Sequence, residues 1–154
     1  MGIGLTAVAA EHYIVPAAED FLRGKLATAE TIAEGARIVV GGTSMPDGVD
    51  RGWYVRPTLF ADADNSMRIA REEIFGPVLT VIEYRDEDDA VAIANDSDYG
   101  LAGSVFTDDA DRGVRVAERV HTGTFGVNQG YTMDPFAPFG GVKDSGYGRE
   151  LGRE

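Results

Sequence analysis

The sequence predicts an α/β fold built as an open parallel sheet of βαβ units. Three observations carry this. Short apolar runs at Val78–Ile82, 101–106 and 123–127 have strand length. The stretches between them show helical periodicity. Acidic or glycine-containing turns mark each change of period, as alternating strands and helices require. A strand, a helical crossover and a parallel strand form a right-handed unit, so the three runs predict one parallel sheet.

Taken in order, residues 1–30 carry little pattern. Gly2-Ile-Gly4-Leu-Thr-Ala7 matches a loose G-x-G-x-x-A dinucleotide loop. That motif needs a strand before it, and here it begins at the second residue, so it is rejected. Residues 17–36 read as helical, with Phe21, Leu22, Leu26 and Ile32 as scattered apolar anchors. Arg37-Ile-Val-Val-Gly-Gly42 reads as a strand stopped by glycines. Residues 43–52 hold Pro46, Asp47, Gly48 and Gly52, the chemistry of a loop. Residues 53–60 favour strand, with Pro57 suggesting an edge or irregular stretch.

Val78–Ile82 is almost wholly apolar, as in a strand buried on both faces. Asp86 opens a helix through Asn95, with Ala90, Ile93 and Ala94 on one face. The strand at 101–106 follows. Thr107 or Asp108 caps a second helix, whose apolar stripe is Ala110, Val114, Ala117 and Val120. The third strand ends at Val127. Sites on such sheets lie beyond the carboxyl ends of strands, which directs attention to Asn128 onward.

Composition bounds the function. At 154 residues the chain is one domain by length. A net charge of −12 gives no basic face for a polyanion, which argues against nucleic acid. The acidic runs at 86–89 and 108–111 read as helix starts, since they lack the spaced ligands and internal glycine of a calcium loop. With no cysteine there is no disulfide framework and no zinc–thiolate site. His12 and His121 are too few for a metal centre. The apolar start lacks a basic region before it, and no run approaches the ~20 residues of a membrane span. Asn95-Asp96-Ser97 fits the glycosylation pattern only by chance without a leader. The expected location is cytoplasmic.

Residues 128–150 mix aromatics with five glycines and have no core periodicity. A long ordered loop of this kind is usually functional. It is not a phosphate loop, because Lys143 does not follow a G-x-x-x-x-G, and Ser145 is not in a G-x-S-x-G elbow.

Several stretches carry a specific resemblance. They are Glu34-Gly-Ala, Val40-Gly-Gly42, Gly52-Trp-Tyr-Val-Arg-Pro57-Thr, Glu72-Glu-Ile-Phe-Gly-Pro77, Ala94-Asn95, Tyr99-Gly-Leu101 and Val105-Phe-Thr107. Gly123-Thr, Val127-Asn128, Pro138-Phe-Gly-Gly141, Lys143, Ser145-Gly146 and Gly148-Arg-Glu150-Leu-Gly152 follow in the same order. Together, over roughly residues 31–154, they resemble the C-terminal part of the aldehyde dehydrogenase superfamily.

The resemblance implies an incomplete portion of that fold, and NAD- or NADP-dependent oxidation of a small aldehyde to an acid. In the family a cysteine thiolate attacks the aldehyde, hydride passes to the nicotinamide, and an activated water hydrolyses the thioester. By the same resemblance, Glu73 would accept hydrogen bonds from the nicotinamide ribose and Phe75 would pack beside it. Phe139 would line the aldehyde pocket. Asn128 would support the catalytic loop, with a simple turn-forming asparagine as the other reading. Gly140 and Gly141 read as turn glycines with positive φ.

The cysteine, the catalytic glutamate, the oxyanion asparagine and the phosphate-binding part of the cofactor fold lie upstream in the family, and residues 1–30 do not replace them. The family is homo-oligomeric and continues into a final assembly strand beyond the point matched by Glu154. The expectation is therefore a fragment, inactive alone. The alternative is a non-catalytic binding or interaction module derived from the same fold.

Overall fold

The computed structural model describes residues 4–5, 34–42, 44–52, 54–74, 76–130 and 134–153. The helix expected at 17–36 lies outside the described residues up to residue 33, as do His12, Trp53, Phe75 and most of the Gly2–Ala7 pattern. The architecture is α/β, with parallel strand pairs inside mixed sheets. The chain divides into two compact units, residues 9–83 and residues 1–8 with 84–154.

In chain order, β1 (Gly4–Leu5) belongs to the second unit. The first unit holds β2 (Arg37–Val40), β3 (Thr58–Ala63), a four-residue helix α1 (Arg68–Arg71) and β4 (Val78–Ile82). Its sheet has the order β2-β3-β4, with β2 antiparallel and β4 parallel to β3. Phe60 and Ala63 on β3, with Ala36, Ile69 and Ile74, form the core on one face. Phe60 is fully buried, which contributes about 1.5–3 kcal/mol.

Three expectations change here. Pro57 does not mark an edge, since β3 is the central strand, although the irregular stretch offered beside that reading is found at residues 54–57. The proline stands one residue outside the ladder, where its missing N–H costs nothing, and Thr58 N donates to Pro77 O at 2.9 Å directly after it. The strand β4 is not buried on both faces. Val78, Thr80 and Ile82 turn inward, whereas Leu79 and Val81 are 46% and 42% exposed. The core cluster lies on one side of this sheet only. Finally, β4 pairs with β3 rather than with the strand at 102–106. Periodicity locates strands but does not say which of them pair, and Asp62 and Asp64 disguised the end of β3.

The second unit begins with α2 (Glu87–Asn95), followed by β5 (Tyr99–Gly100), β6 (Ala102–Phe106), α3 (Ala110–Ala117), β7 (Thr124–Val127) and β8 (Val142–Lys143). One sheet has the order β1-β6-β7, in which β6 and β7 are parallel across α3. A second ribbon pairs β5 with β8 antiparallel. The core is Val91, Val105, Val116 and Val120, with Tyr84, Ala94, Phe125 and Val127 half-buried around it.

Both helices start on aspartate. Asp86 accepts from Asp89 N at 2.9 Å, as its position predicted. For α3 the cap is Asp109, accepting from Arg112 N at 3.0 Å, not Thr107 or Asp108. Thr107 instead takes the N–H of Asp109 on its hydroxyl and so sets up the cap. The buried face of α3 is Gly113 and Val116, while Val114 is 49% exposed. The reason is close approach: a Cβ at Gly113 would stand 2.5 Å from Val127 Cγ1, so the glycine lets the helix backbone rest on β7. The acidic start of α2 is paired, with Glu87 bound by Arg112 at 2.7 Å and by Arg119 at 3.1 Å, and Asp88 by Arg119.

Candidate functional site

Glu73 follows α1 and stands at the turn that leads into β4. The turn is tight because two short bonds close it: Gly76 N donates to Ile74 O at 2.9 Å, and Val78 N donates to Gly76 O at 2.8 Å. Ile74 is buried in the core and fixes the segment, while Glu73 remains exposed. The neighbouring Glu72 is bound by Arg68 Nε at 2.8 Å. Glu73 has no such partner among the described residues, so its carboxylate faces solvent with its acceptor capacity unused. Phe75 lies outside the described residues.

The remaining candidates belong to the second unit. Asn128 follows β7 in a left-handed conformation, φ 55°. Its N–H donates to Val105 O at 2.7 Å and its Oδ1 accepts from Thr107 N at 2.7 Å. It therefore ties the carboxyl ends of β6 and β7 together. The left-handed turn and the side-chain tie coexist in one residue, and asparagine suits both.

Phe139 is half-buried in the glycine-rich loop and pairs with Glu150. Phe139 N donates to Glu150 O at 2.8 Å, and Glu150 N to Phe139 O at 2.7 Å. Arg149 Nη1 holds Gly141 O at 2.7 Å and Gly148 O at 2.9 Å. Gly140 and Gly141 do not have positive φ, contrary to expectation. They are glycine because other backbone comes too close: a Cβ on Gly140 would strike Gly148 O, and one on Gly141 would stand 2.6 Å from Ser145 Cβ. The same holds for Gly123 at the entry to β7, whose Cβ would strike Gly140 O. Tyr131 and Met133 of the same loop lie outside the described residues. Phe136 is 87% exposed and borders an open depression of 410 Å³ with Pro135, Gly152 and Arg153.

Sequence reasoning gave no role to Lys143 or Ser145. In the structure they anchor the loop. Ser145 Oγ accepts from Gly100 N at 3.0 Å, and Lys143 Nζ donates to Asn95 O at 2.9 Å and Ser97 O at 2.8 Å. The Lys143-x-Ser145-Gly146 pattern, part of the family resemblance, was the available signal. Asn95, the apparent glycosylation acceptor, is a structural tie, with Nδ2 on Arg119 O at 2.8 Å and Oδ1 on His121 N at 2.7 Å. Among the described residues no group of three or more histidines and carboxylates could hold a metal ion, and no helix is long and apolar enough to cross a membrane.

Comparison with known proteins agrees with the fold. Residues 17–154 match the model of the aldehyde dehydrogenase family. A geranial dehydrogenase of Castellaniella defragrans is 62% identical over 119 residues, which is 77% of this chain and 24% of that enzyme. A 3-succinoylsemialdehyde-pyridine dehydrogenase of a Pseudomonas species is 48% identical over 122 residues, 79% of this chain and 25% of the enzyme. Among solved structures, a Mycobacterium tuberculosis aldehyde dehydrogenase complexed with NAD+ superposes with a TM-score of 0.83 at 52% identity, over 88% of this chain and 27% of that one. A Pseudomonas syringae aldehyde dehydrogenase variant with NAD+ and octanal gives 0.83 at 46% identity, over 90% and 28%. The chain thus spans about a quarter of the length of the curated relatives it matches.

Proposed function

The chain belongs to the aldehyde dehydrogenase family, and on that footing we propose that it supplies residues of an NAD- or NADP-dependent aldehyde-oxidising site in the cytoplasm. Glu73 accepts hydrogen bonds from the ribose beside the nicotinamide, and Phe75 packs against the same group. Phe139 lines the aldehyde pocket. Asn128 steadies the strand ends that carry the loop. When bound, the cofactor would take up hydride from the aldehyde carbon. The observation that supports this best is Glu73: a solvent-facing carboxylate without a partner among the described residues, on a turn held by the buried Ile74.

The 154 residues include no cysteine, so no thiolate of this chain can add to the aldehyde carbon. Purified alone, it is expected to produce no reduced nicotinamide from any aldehyde tested; robust turnover would overturn the assignment. The positive test is a transplant. The matching 119 residues of the Castellaniella geranial dehydrogenase are replaced by those of this chain, and geranial oxidation is followed. Glu73→Gln in that chimera removes the charged acceptor and should raise the cofactor KM about tenfold or more. An unchanged KM removes Glu73 from the role.

A second reading is an interaction module without catalysis. It draws on the exposed Leu79 and Val81, which leave one face of β4 open to association.

A further inference from the structure

The helix α2 carries its charge the wrong way round for its own carboxyl end. Glu87, Asp88 and Asp89 occupy its first turn, where they are favourable, but its last turn holds no basic residue and its C-cap is Asp96. Asp98 adds a further carboxylate just beyond. The helix thus brings no cation of its own to its last carbonyls. The compensating cation comes from far along the sequence. Lys143 Nζ reaches Asn95 O at 2.9 Å and Ser97 O at 2.8 Å, across 48 and 46 residues.

Lys143 makes these bonds from a left-handed backbone, φ 54°, a conformation that a lysine seldom adopts unless its surroundings impose it. The surroundings do so. Lys143 pairs with Tyr99 in the short β5–β8 ribbon, Asp144 N donates to Asp98 O at 2.9 Å, and Gly100 N donates to Ser145 Oγ. Within the loop, Phe139–Glu150, Gly152 N on Pro135 O and the Arg149 bonds tie the chain to itself. The stretch from 142 to 145 is thus a mooring between the loop and the α2–β5 junction.

We propose that Lys143 is a positioning residue: its ammonium caps α2 in place of a residue of the helix itself and thereby holds the loop that presents Phe139. The pocket consequence rests on Phe139 lining the aldehyde site; the mooring itself does not. A compact ammonium with three donors on a flexible stem suits two carbonyls on one turn.

The chain makes the test simple, because Lys25 and Lys143 are its only lysines. Acetylation of the 154-residue protein by an N-hydroxysuccinimide ester, read by mass spectrometry, should be about tenfold slower at Lys143 in the native protein than in urea, since the amine must first leave its two acceptors. Lys143 is exposed, so simple occlusion would not give that protection. Equal rates in the two states overturn the proposal.

Amide exchange gives the second arm. Lys143→Met should speed exchange about tenfold at Gly100, Asp144, Phe139 and Glu150 while leaving Asn128 unchanged, and Lys143→Arg should restore much of the protection. No change, or a uniform change that includes Asn128, overturns it. Neither arm involves cofactor or aldehyde. In the geranial chimera, Lys143→Met should raise the aldehyde KM and spare the cofactor KM. If the exchange result holds and the aldehyde KM does not move, the mooring stands and Phe139 is not a pocket wall.

Discussion

Asn128 concentrates two energies in one side chain. A residue with a Cβ at φ 55° bears roughly 1–2 kcal/mol of backbone cost, eased when a short polar side chain bonds locally. Asn128→Ala removes the bond to Thr107 N and leaves the strain, so thermal or urea unfolding should show a loss of about 2 kcal/mol. Asn128→Gly removes the bond but relieves the strain, and should lose about 1 kcal/mol less than the alanine variant. Equal losses would show that the conformation contributes nothing. Asp89 gives a pH dependence. The side-chain bond from Arg85, reinforced by Arg85 N, pulls its carboxyl from 3.8 to about 2. A depressed carboxylate stabilises the fold above its unfolded value and loses that contribution as pH falls through the folded one. Asp89→Asn should therefore remove part of the stability present at neutral pH and flatten the acid limb of the unfolding curve between about pH 4 and 2.

Among the elements, those with a strong local signal were legible. The start of α2 followed from Asp86, and β2, β6 and β7 followed from short apolar runs bounded by glycine or a polar turn. What failed were features set by tertiary contact. The buried face of α3 could not be read from its apolar residues, because the residue nearest β7 is Gly113, which has no side chain to reveal it. The pairing of β3 with β4 was hidden behind Pro57 and two aspartates. The ribbon of β5 with β8 joins two-residue strands, too short for any period. The candidate residues divide by origin: Glu73, Phe75, Asn128 and Phe139 are proposed from motif resemblance, whereas the bonds of Lys143 and Ser145 emerged only from distances. At β3, Phe60→Ala should lower stability by about 3–5 kcal/mol in chemical unfolding, since Phe60 is wholly enclosed. A loss below about 1 kcal/mol would mean that this sheet is not a packed core.

At the scale of the whole molecule, the packed cores coexist with an open sheet face. Register places Val40, Leu59 and Leu79 side by side across β2, β3 and β4, and Val40 and Leu79 are 58% and 46% exposed. Sedimentation should reveal concentration-dependent association of the chain, and Leu79→Lys with Val81→Lys should suppress it with little change in unfolding. Association that survives both substitutions would place the contact elsewhere. The strand β1 has a different implication. Leu5 sits opposite Val105, so this contact closes a span of about a hundred residues, whereas β6 and β7 meet across about 22. Closing the longer span sacrifices more chain entropy, and contacts of that kind form late. Residues 4 and 5 must therefore wait for a partner strand that lies far along the sequence. A substitution that weakens β1 would then act on the last step of folding rather than on the nucleus, speeding unfolding while leaving early collapse at its own pace.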